Sequence, residues 1–170
     1  MVQIKVDIAA RKNYGNRRKT KDIKYLVIHY TGNDGDSAKG NANYFKTHIV
    51  EASAHYFVDD NGIIQSVPDD FAAYSVGGKK YPSCGKTGGG RFYGKCTNEN
   101  SVNVELCDTR KNGKFDFSEE TLDNAADLCR VLLKKYNISV DNIIRHFDVT
   151  GKIFWEMSEK YGWLLWRRWH

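Results

Sequence analysis

Residues 23–30 read IKYLVIHY, a β-branched and aromatic run that breaks off in Thr31-Gly32-Asn33-Asp34-Gly35. Such a run is a buried strand feeding a loop, and a buried strand needs other elements packed around it to keep water away. The chain supplies candidates for them. Ala38 to Val50 carries Ala42, Phe45 and Ile49 at helical spacing behind a capping Ser37. His55–Val58 and Ile63–Val67 are short strand-like runs whose connecting Asp60-Asn61-Gly62 suits a hairpin.

Ser101 to Cys107 (SVNVELC) alternates, with Val102, Val104 and Leu106 on one face and Glu105 on the other. Ser118 caps a helix through Tyr136, whose stripe is Leu122, Ala125, Ala126, Cys129, Leu132 and Leu133. Acidic Glu119 and Glu120 begin it and basic Lys134 and Lys135 end it, as the helix dipole favours. Ile143 to His146 forms a last strand, and Trp155 to Trp169 has helical character. Between Gly77 and Asn100 lies a long Gly-, Lys-, Ser- and Thr-rich loop, expected to border a binding groove. These elements make one α/β domain over residues 1–170, a length at which a single core is sustainable.

Twenty-six Lys and Arg against 21 Asp and Glu give a net charge of +5, which draws anionic partners without choosing among them. Arg11, Lys12, Arg17, Arg18, Lys19 and Lys21 lie within residues 1–22 and read as a solvated basic arm; few aromatics interleave with them, so no nucleic-acid partner is indicated. No apolar run approaches the ~20 residues of a membrane span, and no signal peptide is visible at the N-terminus. The aromatic, basic segment Tyr161 to His170 could lie on a membrane surface or pack on the core. Cys84, Cys96, Cys107 and Cys129 form no CxxC pair; Cys107 and Cys129 read as core thiols, and a Cys84–Cys96 bridge stays open.

Two histidines, His29 and His146, each close a strand-like run ahead of a loop, where α/β sheets deliver side chains to a ligand crevice. Neutral imidazole suits zinc, although a strand-end histidine can equally be a hydrogen-bonded structural residue. Glu105, a carboxylate in mid-strand, fits general acid–base work or a cross-strand ion pair.

Ile28-His29-Tyr30-Thr31, Ala52-Ser53-Ala54-His55-Tyr56-Phe57-Val58-Asp59 with Gly62, Asn100-Ser101 through Glu105-Leu106-Cys107, and Arg145-His146-Phe147-Asp148-Val149-Thr150-Gly151-Lys152 stand in that order. Together they resemble the type-2 N-acetylmuramoyl-L-alanine amidases, the family of phage endolysins and peptidoglycan recognition proteins. The resemblance implies a central mixed β-sheet flanked by helices and a Zn2+ ion in an open groove. It implies hydrolysis of the amide between N-acetylmuramic acid and L-alanine, with peptidoglycan as partner and a monomer as the working form. An endolysin stays in the cytoplasm until it is released to act on the cell wall, which fits the absent signal. Carried over by motif, His29 and His146 become zinc ligands, Glu105 the catalytic carboxylate and Lys152 the cation that supports the oxyanion. His55 and Tyr74 are taken as substrate contacts, with a supporting role behind the ligands or a place in the core as the alternatives for His55.

The chain departs from that pattern after Lys152. Relatives continue Gly-Lys-x-Cys-Pro, and here Phe154 and Trp155 stand where the cysteine ligand and the proline would. Glu156, ten residues after His146, is the replacement ligand expected from some relatives, with Asp148 as the alternative. Ala73-Tyr74-Ser75-Val76-Gly77 lacks the groove histidine that relatives carry in Ala-Trp-His-x-Gly. The loss of the cysteine also allows a second function, a peptidoglycan-binding module without catalysis. No separate wall-binding domain is expected within these 170 residues.

Overall fold

The computed structural model describes residues 3–33, 35–107, 109–111 and 114–152. In chain order the elements are β1 (Ile4–Val6), β2 (Tyr14–Arg17), β3 (Tyr25–Tyr30), α1 (Ala38–Thr47), β4 (Tyr56–Asp59), β5 (Gly62–Gln65) and β6 (Phe71–Ala73). They continue as α2 (Cys84–Thr87), β7 (Ser101–Leu106), β8 (Thr109–Lys111), β9 (Lys114–Asp116), α3 (Glu119–Tyr136), β10 (Ile143–Arg145) and α4 (His146–Thr150).

Six strands form one mixed sheet in the order β1-β5-β4-β7-β3-β10. The β4–β5 hairpin is antiparallel, while β7, β3 and β10 run parallel to β4. Small antiparallel pairs, β2–β6 and β8–β9, lie outside it. The mixed, helix-flanked sheet expected from the sequence is thus present.

Alternation on the strands decides which residues meet which layer. Leu26, Ile28, Val58, Val102, Val104 and Leu106 pack against Leu122, Ala125, Leu128, Cys129 and Leu132 of α3. Ser118 caps that helix by accepting the Thr121 N–H at 3.0 Å, and Asn137 closes it in the left-handed conformation at φ 52°. The opposite face is covered twice. Ala38 and Ala42 of α1 sit on Phe57 and Ile64, and the loop residues Val76 and Cys96 sit on Val27, Ile144 and Val149.

Several expectations need correction. The basic arm does not hang free, because apolar residues interleave with its charges: β1 pairs with β5, β2 pairs with β6, and Ala9 and Tyr14 are buried. Asn13, fully buried, donates to the Phe45 and His48 carbonyls and accepts the Val50 N–H, which fastens the segment to the end of α1. Helix α1 stops at Thr47, leaving Ile49 exposed. The last strand ends at Arg145, because Asp148 accepts the Arg145 N–H at 2.9 Å and starts a helix at His146. Cys84 and Cys96 are buried free thiols. The stretch from 155 to 169 lies outside the described residues.

Candidate active site

Parallel pairing brings the chemistry-bearing residues into one row. On β3 and β7, His29 registers with Glu105; on β10 and β3, Arg145 registers with Ile28. The residue after Arg145 therefore arrives beside His29, and the His29 and His146 rings meet edge to face with centroids 4.9 Å apart. Registered neighbours share a face, so both histidines and Glu105 gather at the carboxyl ends of three parallel strands.

A directional hydrogen-bond chain sets the His29 tautomer. Ser101 Oγ donates to the Thr97 carbonyl, Asn103 Nδ2 donates to Ser101 Oγ at 3.1 Å, and Asn103 Oδ1 therefore faces His29 Nε2 at 2.9 Å as an acceptor. Nε2 carries the proton, and the Nδ1 lone pair points away from Asn103, 3.8 Å from Glu105 Oε1. Burial, with the neighbouring His146, pushes the His29 pKa down to about 3, and burial with Lys152 nearby pushes His146 down to about 4. Both rings are neutral at pH 7, the form a metal requires.

Glu105 is the converse case. Burial raises its carboxyl to about 7, with Lys152 pulling it down and Asp36 pushing it up. Its Oε2 is buried and has no hydrogen-bond partner among the described residues. A buried carboxyl oxygen without a partner is costly, and a cation or a water is what satisfies it. Neutral imidazoles and a carboxylate are donors of the kind that a divalent metal such as zinc accepts. Among the described residues no three His, Cys, Asp or Glu side chains converge on one point, and Phe154, Trp155 and Glu156 lie outside those residues.

Lys152 follows α4 and lines an open cleft of ≈ 390 Å³ together with His146 and Thr150. The opposite wall is Gly77 to Pro82, the first part of the long loop. Asp148 is not a free ligand candidate: its carboxylate holds the Arg145 N–H and Nε.

His55 is misread by the sequence. It is wholly buried, Nδ1 accepts the Asn103 N–H at 3.1 Å, and Nε2 lies 3.0 Å from the Phe71 carbonyl, so the ring is spent on the interior and faces no substrate. Burial next to the Arg18 guanidinium pushes its pKa down to about 3. Arg18 itself donates to the carbonyls of Asp69, Asn98 and Ser101 and ties three segments together. Tyr74 is exposed on the turn after β6, three residues before Gly77. Asn103 is the functional residue that sequence reasoning passed over. Its signal was present, because Ser101, Asn103 and Glu105 place a polar group at every second position of an otherwise apolar buried strand.

Comparison with known proteins agrees with this geometry. A profile of the N-acetylmuramoyl-L-alanine amidase family matches residues 19–160. The chain is 35% identical over 142 residues to N-acetylmuramoyl-L-alanine amidase CwlL of Bacillus licheniformis, covering 79% of this chain and 36% of that protein. It is 30% identical over 154 residues to the amidase CwlH of Bacillus subtilis (strain 168), covering 89% and 55%. The chain thus spans between about a third and about half the length of these relatives. Among solved structures, the catalytic domain of XlyA is similar with a TM-score of 0.70 and 25% identity, over 98% of this chain and 96% of that one. PlyL is similar with a TM-score of 0.66 and 29% identity, over 89% and 85%.

Proposed function

Because this chain belongs to the N-acetylmuramoyl-L-alanine amidase family, we propose that it cleaves bacterial peptidoglycan at the amide joining N-acetylmuramic acid to L-alanine. The observation that carries this reading is the registered row of His29, Glu105 and His146, with one Glu105 oxygen buried and unpartnered.

In this reading His29, through Nδ1, and His146 hold zinc, and Glu156 completes the ligand set in place of the family's cysteine. A zinc ion held there supplies Lewis acidity to the scissile carbonyl and to the attacking water. The remaining work falls to the chain's own groups. Asn103 keeps the His29 proton on Nε2 and so keeps Nδ1 available. Glu105 accepts the proton of the attacking water and returns it to the leaving amine of L-alanine, and a carboxyl raised to about 7 is matched to both steps near neutral pH. Lys152 places its ammonium where negative charge develops on the carbonyl oxygen. Tyr74 meets substrate at the rim.

The chain acts as a single catalytic unit and a monomer, on the cell wall, in the manner of an endolysin. No helix among the described residues is long and apolar enough to cross a membrane. A binding-only role is not favoured, because the matched relatives are named as amidases and Glu105 keeps an uncommitted oxygen. Product analysis tests the reading: digested peptidoglycan should gain amino-terminal alanine without new reducing sugar ends. Reducing ends without new amines would mean glycan cleavage and would contradict it. Zinc titration of Glu156→Ala tests the ligand: affinity falls if Glu156 binds the metal and is unchanged if it does not.

A further inference from the structure

The cleft beside His146 has a feature that hydrolysis does not need. Three of its lining residues are lysines, Lys79, Lys80 and Lys152, and none is acidic. Lys152 belongs to the reaction centre, but Lys79 and Lys80 stand on the facing wall and make no ion pair among the described residues.

That wall is built rather than loose. Within it Tyr81 N–H donates to the Thr150 carbonyl at 2.8 Å, and farther along the same loop Gly90 N–H and Phe92 N–H donate to the Phe147 and Asp148 carbonyls at 3.0 and 2.8 Å. The Lys80 stem runs across Gly90, where a Cβ would come within 2.7 Å of Lys80 Cε, so the side chain is laid along the wall toward the cleft. Lys80 thus has its stem packed on the loop, and Lys79, exposed beside it, lines the same cleft as His146.

The substrate's chemistry says which part of it such a wall can meet. Once the lactyl carboxyl of the muramic acid is tied up in the scissile amide, the amino sugars carry no charge. Anionic groups near the bond occur only on the peptide stem, as free carboxylates that amidation would convert to neutral carboxamides. We propose that Lys79 and Lys80 bind a free stem carboxylate, so that this protein selects stems with ionised carboxylates over amidated ones. The proposal rests on the amidase reading for the identity of the substrate. A charge-assisted hydrogen bond replaces a neutral one when the carboxylate is free, which is worth about tenfold in affinity at a partly exposed site.

The test reads binding, so that it stands apart from turnover. Two pairs of soluble muramoyl peptides are used, one pair free or amidated at the second stem residue and one pair free or amidated at the third. Their Kd values are measured by calorimetry on the zinc-supplied Glu105→Gln protein, at low and at high salt. The expected result is about tenfold tighter binding of the free member of at least one pair, which also says which carboxylate is read. The preference shrinks at high salt and falls to near one in Lys79→Gln/Lys80→Gln. Ratios near one in both pairs, absence of binding to every probe, or a preference that survives the double substitution overturns the proposal. Peptidoglycan hydrolysis by the protein with Glu105 intact is scored separately, so failure of the amidase reading is recognised on its own.

Discussion

At the scale of single residues, the site depends on groups that never touch substrate. Asn103 fixes the His29 tautomer through a bond of 2.9 Å, so Asn103→Leu should lower zinc affinity by about 10- to 100-fold while the fold persists. A competition titration with a metal-binding dye checks this, and unchanged affinity would show that the bond does not matter. His29 and His146 were legible because each closes an apolar run ahead of a break, and Glu105 because strand alternation leaves a mid-strand carboxylate unexplained. His55 was misjudged because a one-dimensional pattern shows that a histidine lies near a strand but not what surrounds its ring. Its burial also sets a pH dependence. The folded His55 is held below its usual value, at about 3, so between about 6.5 and 3 the unfolded chain binds a proton that the native state refuses. Its contribution is present above that window and is lost as pH falls through it. In His55→Gln the acid limb of the stability curve should be shallower by one proton, about 1.4 kcal/mol per pH unit, in denaturant titrations across that range. An unaltered slope would mean that the ring titrates freely.

At the scale of elements, α3 was readable to the residue, because a Ser118 cap, terminal charges of the right sign and an unbroken apolar stripe all agree. Ser118→Ala should cost about 1 kcal/mol and Leu132→Ala about 2–5 kcal/mol in chemical denaturation. The three- and four-residue strands β1, β2 and β6 were not readable, since so few positions establish no period and their pairing partners lie far along the chain. The same holds for the start of α4, where the Asp148 carboxylate ends the strand at Arg145 and turns His146 into the first residue of a helix. Gly151 ends that helix at φ 82°, and a Cβ there would run into Cys84 Sγ. Gly151→Ala is therefore expected to push the 77–90 wall off α4, exposing the Cys84 thiol to a water-soluble thiol reagent that leaves the wild type unlabelled. Equal labelling of the two proteins would show that the wall is not held by this contact.

At the scale of the whole molecule, the class of fold followed from the alternation of strand and helix signals, but the sheet order did not. Parallel neighbours such as β3 and β7 are 76 residues apart at the His29–Glu105 pair, and nothing local records that they meet. That long-range register is what converts two histidines and a glutamate scattered along the chain into one site, so the function is a property of topology as much as of motif. The most direct test compares release of amino-terminal alanine from purified peptidoglycan by the zinc-supplied wild type and by Glu105→Gln, each shown to be folded by its thermal transition. A fall of about 10²- to 10⁴-fold in the variant, with zinc content retained, is the predicted result. Equal release by the two proteins would contradict the assignment of the chemistry to this row of residues.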